Sequence, residues 1–386
     1  MTPSDNAAAA GLAGPVMCVV GARPNFMKMA PILRALAEHV PPLPAVLVHT
    51  GQHYDASMSD RLFADLRLPR PDINLEVGSG SHAVQTAEVM KRFEPALDER
   101  KPSCVLVVGD VNSTLACALV AVKKGVPVVH VEAGLRSGDR GMPEEINRVL
   151  TDQISGRLYT TEREALANLQ REGIAAERVC FAGNVMIDSL LDSRPLARSP
   201  AATLRAHGAE PALLDGRYGV VTLHRPSNVD DASTLEGLLS VLHEVSSHLP
   251  LVFALHPRTR ANIQKFGLDK LIDARQMVLL PPQGYLEMLG LMDGATLVLT
   301  DSGGLQEETT ALGVPCLTMR ENTERPITVE QGTNTMVGRD AQAIRDGVAA
   351  ILAGLGKRGR VPELWDGKAA VRIATDLHSW LRAGAP

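Results

Sequence analysis

Residues 104–110 read Cys-Val-Leu-Val-Val-Gly-Asp, and residues 128–134 read Val-Val-His-Val-Glu-Ala-Gly. Both runs are short and mostly apolar, without the polar alternation of a strand that has one solvated face. Strands of this kind are buried on both faces, as in a parallel sheet that helices cover on each side. The second run leads directly into Glu132, which is unusual for an apolar strand unless the acid is paired or has a chemical role.

The same pattern extends along the chain in two series. The first has strands predicted at 16–20, 45–48, 104–108, 126–131 and 157–160, with helices such as 27–38, 82–97 and 113–123 between them. The second has strands predicted at 218–223, 251–255, 277–280, 295–299, 314–318 and 335–337. Residues 194–216, rich in Pro, Ala and Gly, are interpreted as a connector.

This alternation predicts an α/β protein with two Rossmann-like, doubly wound domains, residues 1–192 and 193–367. The active site is expected in the cleft between the two domains. The last helix, within residues 368–386, could pack on either half, including back onto the first.

Composition excludes several classes of protein. A net charge of −5 and 3% aromatic residues argue against a nucleic-acid-binding protein. No apolar stretch is long enough to span a membrane, and the first residues lack the basic start of a signal peptide. The five cysteines form no Cys-x-x-Cys pair, which predicts free core thiols and a reducing cytoplasm.

No cofactor or metal is predicted. Residues 354–359 spell a Gly-x-Gly-x-x-Gly pattern, but they follow a predicted helix rather than a strand, so the dinucleotide fingerprint lacks its context. No Walker A sequence and no metal-ligand spacing is present.

In the first half, polar residues follow the ends of predicted strands, where parallel sheets bind ligands. Arg23 and Lys28 lie at a turn into a helix and favour an anion such as a phosphate, although they could also be two solvated bases. Asp110, Glu132 and Glu144 lie in or just after neighbouring strand-end loops, so they are candidates for removing and returning a proton. The alternative is that Asp110 caps a helix and that Glu144 only suits a first helical turn.

The second half is predicted to hold a nucleoside diphosphate. His224 ends a strand and is a candidate acid or phosphate partner, although a lone histidine there is more often structural. Residues 301–308 join a strand to a helix through small residues whose backbone amides could reach a phosphate, or which could simply cap the helix. The other candidates at this edge are His256, Ser302, Gly303, Gly304, Glu308 and Arg325.

Taken in order, these motifs resemble the bacterial non-hydrolysing UDP-N-acetylglucosamine 2-epimerases. The resemblance covers residues 18–380, nearly the whole chain. Its strongest pieces are residues 21–24, 109–110, 130–136, 143–148, 183–184, 301–308 and 320–326. The family implies two domains in a GT-B arrangement, commonly a homodimer, and interconversion of UDP-GlcNAc and UDP-ManNAc without an external cofactor.

The resemblance also implies roles for individual residues. The positions that match the family's catalytic residues are Asp110, Glu132, Glu144 and His224. The positions expected to contact the UDP-sugar are Arg23, Lys28, Arg148, His256, Ser302, Gly303, Gly304, Glu308 and Arg325. Three alternatives stay open: a hydrolysing relative that releases UDP, a GT-B glycosyltransferase, and a UDP-sugar-binding module without turnover.

The chain departs from the family pattern in three places. Asn25 stands where many members have Glu, and residues 136–143 form a shorter segment without an aromatic residue before Pro143. Residues 52–55 read Gln-His-Tyr-Asp, where members that bind a second UDP-GlcNAc as activator have a second amide. This last change predicts weak or absent allosteric activation.

Overall fold

The computed structural model describes residues 14–51, 56–209, 217–273 and 275–384, so the segment Gln52–Asp55 lies outside the described residues. The chain divides into two compact units, one running up to Ser189 and resuming at Asp366, the other spanning Leu190–Trp365. Within the described ranges, no helix is both long and apolar enough to cross a bilayer.

The described part of the first unit contains one parallel sheet in the order β3-β2-β1-β4-β5-β6-β7. Its strands are β1 (Val16–Val20), β2 (Ala45–His49), β3 (Ile73–Asn74), β4 (Cys104–Val108), β5 (Val128–Val131), β6 (Arg157–Thr160) and β7 (Val179–Phe181). Its helices are α1 (Arg23–Glu38), α2 (Ala56–Asp65), α3 (His82–Arg100), α4 (Asn112–Lys123), α5 (Pro143–Ile154), α6 (Arg163–Arg171) and α7 (Val185–Ser193), whose last residues reach into the second unit.

The second unit repeats this plan with a parallel sheet in the order β10-β9-β8-β11-β12-β13. Its strands are β8 (Gly219–Thr222), β9 (Leu251–Ala254), β10 (Met277–Leu280), β11 (Leu297–Thr300), β12 (Cys316–Thr318) and β13 (Asn334–Met336). Its helices are α8 (Pro200–Ala206), α9 (Pro226–Val229), α10 (Ala232–Ser246), α11 (Pro257–Phe266), α12 (Tyr285–Asp293), α13 (Gly303–Leu312), α14 (Pro326–Glu330) and α15 (Ala341–Leu352).

The apolar runs form buried strands because both faces of each sheet are covered. In the second unit, Val221 and Leu299 pack into one core and Val220 and Val298 into another on the opposite face. Consecutive residues of one strand therefore enter different cores, which removes any reason for polar alternation. The predicted class, two doubly wound α/β units, is confirmed.

Three local features differ from the sequence interpretation or complete it. The predicted connector contains α8, which begins at Pro200 and is capped by the Ser199 hydroxyl accepting from the Ala202 N–H at 3.3 Å. The final helix, α16 (Ala369–Arg382), packs against α1 in the first unit. The five cysteines are free, as predicted, and all but Cys180 are buried.

Candidate active site

In the first unit, the predicted site residues follow three neighbouring strands. The order β1-β4-β5 places the turns after these strands side by side, and between β1 and β4 the sheet reverses the direction in which it winds. Ligands of doubly wound sheets bind at such a switch point, beyond the carboxyl ends of the strands, because the flanking connections leave in opposite directions there.

Glu132 leaves β5 in a left-handed backbone conformation, with φ of +71°. Few residues other than glycine adopt this conformation, and such strain concentrates at functional sites. The conformation lets the backbone N–H groups of Glu132 and Ala133 both donate to the Tyr159 carbonyl, each at 3.0 Å. The Glu132 carboxylate is thereby turned onto the Lys28 ammonium, and both side chains of this ion pair are only 6% exposed.

Gly109 makes room for this ion pair. It too has a left-handed backbone, with φ of +68°, and a Cβ there would lie 3.0 Å from Lys28 Nζ and 3.3 Å from Glu132 Oε2. Asn25 fixes the neighbouring helix start, because its Oδ1 accepts from the Ala22 N–H at 2.9 Å and its Nδ2 donates to the Val108 carbonyl at 2.9 Å.

Asp110 follows Gly109 and is held by α5. The Arg148 guanidinium donates to Asp110 Oδ2 at 2.6 Å and to Glu145 Oε2 at 2.8 Å. Asn147 Nδ2 donates to the Asp110 carbonyl at 2.9 Å. Arg148 is buried, so two carboxylates already hold the side chain that was predicted to contact substrate. Asp110 itself is 29% exposed and remains accessible from solvent.

Glu144 and Glu145 lie in the first turn of α5 but differ in their surroundings. Glu145 is buried and accepts from the Ser137 and Gly138 backbone N–H groups at 3.0 and 2.9 Å, besides its ion pair with Arg148. Glu144 is half-buried, and among the described residues it has no hydrogen-bonding or ion-pair partner. Of the three predicted acids, Glu144 is therefore the one that no described side chain holds by a hydrogen bond or an ion pair.

A buried network of His130, Asp152 and Arg136 holds the turn that follows β4. His130 Nε2 donates to the Gly109 carbonyl at 2.8 Å, and its Nδ1 lies 2.6 Å from Asp152 Oδ1. Asp152 also pairs with Arg136 at 2.7 Å. Burial alone would raise the pKa of Asp152, but the charges and hydrogen bonds of His130 and Arg136 lower it on balance.

In the second unit, β8 and β11 meet at the corresponding switch point. Thr222 pairs with Thr300 in the strand register, so His224 and Asp301 come together just beyond the two strands. Asp301 is fully buried and lies 2.9 Å from His224 Nδ1, while the His224 ring is 38% exposed. Burial alone would raise the Asp301 pKa, but its hydrogen bonds with His224 and the Arg225 N–H lower it on balance.

His256 lies beside His224, with 5.9 Å between the ring centroids. It is the N-cap of α11, and its Nδ1 accepts from the Arg258 N–H at 3.2 Å. Burial, and then the charges of His224 and Arg258, lower the pKa of His256. A neutral, exposed ring with its proton on Nε2 can donate a hydrogen bond to an anion.

The start of α13 forms a second polar surface in this unit. Ser302 is the N-cap residue, but its side chain makes no capping hydrogen bond with the described residues, so it does not cap the first helical amides. Gly303 is required by space, since a Cβ there would lie 2.5 Å from Glu324 Oε1 and 2.9 Å from Arg325 Nη1. Helix amides next to a guanidinium form a site for an anion such as a phosphate.

The remaining predicted residues occupy the same two regions. Arg325 is buried and pairs with Glu324 at 2.7 Å and with Glu307 at 2.8 Å. Gly304 and Glu308 lie on the first two turns of α13, and Glu308 is buried. Arg23 is exposed at the start of α1, one turn before Lys28.

Sequence reasoning did not single out several residues that hold these sites together. Asp301 carried a usable signal, because it follows the apolar strand β11 in the same way as Glu132 follows β5. Buried Glu145 gave no signal, since its type and position are those of any acid in a first helical turn. His130 and Asp152 gave none either, because 22 residues separate them in the sequence.

The chemistry available in each unit follows from these contacts. The first unit carries three carboxylates that follow neighbouring strands. Glu132 is buried and ion-paired, Asp110 is partly exposed and ion-paired, and Glu144 has no side-chain partner in the part of the chain that the structure describes. Such a set can remove a proton from carbon and return one. The second unit offers two histidines and helix amides that can bind an anionic leaving group.

Comparison with known proteins points to one family. The family model for UDP-N-acetylglucosamine 2-epimerase matches residues 35–378. The chain is 41% identical over 362 residues to the UDP-N-acetylglucosamine 2-epimerase of Methanocaldococcus jannaschii, covering 93% of this chain and 97% of that protein. It is also 41% identical over 326 residues to the UDP-2,3-diacetamido-2,3-dideoxy-D-glucuronate 2-epimerase of Pseudomonas aeruginosa, covering 84% of this chain and 88% of that protein.

A solved structure agrees with the sequence comparison. The crystal structure of the Methanocaldococcus jannaschii UDP-GlcNAc 2-epimerase in complex with UDP-GlcNAc and UDP superposes with a TM-score of 0.82 at 39% identity, covering 95% of this chain and 99% of that chain. The chain therefore belongs to the UDP-N-acetylglucosamine 2-epimerase family.

Proposed function

We propose that this protein interconverts UDP-GlcNAc and UDP-ManNAc by inverting the configuration at C2 of the sugar, without a cofactor. The observation that carries the proposal is the group of acids in the first unit. Glu132 is held in a left-handed backbone against Lys28, Asp110 is held by Arg148, and Glu144 is unpaired among the described residues. Family membership gives the substrate class.

The reaction must begin at C1, because the C2 proton is not next to a carbonyl and is hard to remove directly. When the C1–O bond breaks, its electron pair goes to the β-phosphate oxygen of UDP, and C1 becomes oxocarbenium-like. A carboxylate then takes the C2 proton, and the C–H electron pair forms the C1–C2 double bond of 2-acetamidoglucal. A proton is returned to the opposite face of C2, and the UDP oxygen adds back to C1.

Each unit supplies one part of this chemistry. Asp110, Glu132 and Glu144 move the proton, since inversion needs acid–base groups on two faces of C2. In the second unit, His224 and the amides at the start of α13 stabilise the negative charge on departing UDP. The remaining contacts proposed for UDP and ribose are Arg23, His256, Arg325 and Glu308.

A second candidate substrate comes from the relatives. The Pseudomonas aeruginosa relative, named for UDP-2,3-diacetamido-2,3-dideoxy-D-glucuronate, is as similar to this chain as the Methanocaldococcus jannaschii relative, at 41% identity. That sugar has an acetamido group in place of the C3 hydroxyl and a carboxylate at C6, and the relative is named for the same inversion at C2. Both UDP-sugars therefore belong in the test.

The deciding experiment is proton NMR of the purified protein with each UDP-sugar in D2O. We expect UDP-ManNAc to form from UDP-GlcNAc, with deuterium replacing hydrogen at C2 and no free sugar. Release of UDP with free N-acetylmannosamine would instead identify a hydrolysing enzyme. UDP binding without exchange or product from either sugar would contradict an epimerase and point to a binding module or a transferase.

We also propose that the protein is a cytoplasmic homodimer. Its five cysteines are free, as in proteins of a reducing compartment. On helix α5 the apolar side chains of Ile146 and Leu150 are 42% and 46% exposed, and a second copy of the chain would cover them in a dimer interface. Sedimentation equilibrium should give twice the chain mass of 41.2 kDa, and a single chain mass would exclude the dimer.

The neighbouring acids Glu144 and Glu145 should respond oppositely to amide substitution. Glu144→Gln is expected to lower turnover about 10²–10⁴-fold with little change in stability, because the side chain has no partner among the described residues. Glu145→Gln should cost about 2 kcal/mol or more of stability, since it breaks a buried ion pair. Turnover and urea unfolding of both variants measure this, and wild-type turnover by Glu144→Gln would remove that acid from the mechanism.

Gly109→Ala and Gly125→Ala form a matched pair that tests the Lys28–Glu132 contact. Both glycines have left-handed backbones, at φ of +68° and +71°, so each alanine should cost about 1–2 kcal/mol of stability. Only at Gly109 would the new Cβ meet Lys28 and Glu132, whereas a Cβ at Gly125 would lie more than 4 Å from every described atom beyond its chain neighbours. We expect turnover to fall at least about tenfold in Gly109→Ala alone. Equal turnover in the two variants would show that the Lys28–Glu132 contact does not require a residue without a Cβ at position 109.

A further inference from the structure

Asp301 lies at the end of β11 and is fully buried. Its carboxylate accepts from the backbone N–H groups of His224 and Arg225, at 3.0 and 2.9 Å, and from Asn228 Nδ2 at 3.1 Å. The fourth contact is His224 Nδ1, at 2.9 Å from Oδ1. The carboxylate therefore holds both the backbone and the ring of His224.

This geometry decides which ring nitrogen of His224 carries the proton. A carboxylate that already receives three N–H groups acts as an acceptor, so Nδ1 must be the donor in the fourth contact. Burial raises the pKa of Asp301, but its hydrogen bonds with His224 and the Arg225 N–H lower that pKa on balance, which agrees with an ionised carboxylate. When the ring is neutral, Nε2 then has a lone pair, and a second proton can only be carried there.

The neighbouring His256 has the opposite arrangement. Its Nδ1 accepts from the Arg258 N–H at 3.2 Å, so the proton of the neutral ring lies on Nε2. The two rings, 5.9 Å apart, are thus fixed in different tautomers by different partners. His256 serves as an internal reference for His224, because both rings lie at the same edge of the same sheet.

We propose that Asp301 is a positioning residue that fixes the ring and the Nδ1–H tautomer of His224, so that Nε2 is presented to the diphosphate of the substrate. This inference rests on the proposed function, because the role of His224 belongs to it. To act on the diphosphate, the ring takes its second proton from solvent on Nε2, the only nitrogen left open. When the C1–O bond breaks and its electron pair passes to the phosphate oxygen, this Nε2–H donates a hydrogen bond to that oxygen without transferring the proton. The Nδ1 proton stays on the ring, hydrogen-bonded to the ionised Asp301 carboxylate. The Nε2 proton stays on the ring too, so the UDP oxygen can add back to C1 by the reverse step.

The tautomers can be measured without any substrate. Protein labelled with ¹⁵N at its histidines is examined by long-range ¹H–¹⁵N correlation at a pH where both rings are neutral. The signals are assigned from His224→Gln and His256→Gln. We expect an Nδ1–H tautomer for His224 and an Nε2–H tautomer for His256. An Nε2–H tautomer for His224 overturns the proposal, whatever reaction the protein catalyses.

The variants Asp301→Asn and Asp340→Asn test the consequence for turnover. Asp340 is the matched control, because it also accepts two backbone N–H groups, at 2.7 and 2.9 Å, but at the start of α15. Asp301→Asn should lose the Nδ1–H tautomer and lower kcat about 10²-fold or more, with a smaller change in KM. Asp340→Asn should keep the tautomer and kcat.

The outcomes separate this inference from the proposed function. Loss of the tautomer with an unchanged kcat in Asp301→Asn overturns the positioning role. Absence of epimerisation by the wild-type protein overturns the proposed function, while the tautomers are still measured directly. If Asp301→Asn does not fold, the tautomer of the wild-type His224 alone supports or overturns the proposal.

Discussion

The burial of the Lys28–Glu132 ion pair is the constraint on which the first unit's site depends. Two charges removed from water lose hydration, and only close mutual contact offsets that loss. The contact requires Glu132 to leave its strand in a left-handed conformation, which the Tyr159 carbonyl stabilises by accepting two N–H groups. It also requires a residue without a Cβ at position 109. One ion pair therefore fixes the backbone at two strand ends.

The second unit also contains a buried carboxylate, and here its partner is a histidine, His224. The strand that ends at Thr300 places Asp301 in a fully buried position, where an isolated carboxylate would be strongly destabilised. Backbone amides, Asn228 and the His224 ring satisfy it. In both units a buried acid organises the turn at a switch point of a parallel sheet, and a partly exposed side chain, Asp110 or His224, lies next to it.

The sequence was most informative where burial is complete. Strands buried on both faces leave continuous apolar runs, so β4 and β5 could be predicted, whereas the edge strands β3 and β7 were missed because they are short and only partly buried. The acids that follow apolar strands could also be predicted, because burying a carboxylate is costly unless the carboxylate is paired or has a chemical role. Their partners could not, since Asn228 and Asp301 are 73 residues apart and meet only through the sheet.

Asn25 connects the start of α1 with the end of β4. Its amide accepts from the backbone at the start of α1 and donates to the Val108 carbonyl at the end of β4. A carboxylate could make the first contact but not the second, because it has no proton to donate when ionised. Asn25 thus ties the helix that carries Lys28 to the strand that precedes Gly109. In this chain Asn25 therefore helps to position the Lys28–Glu132 ion pair.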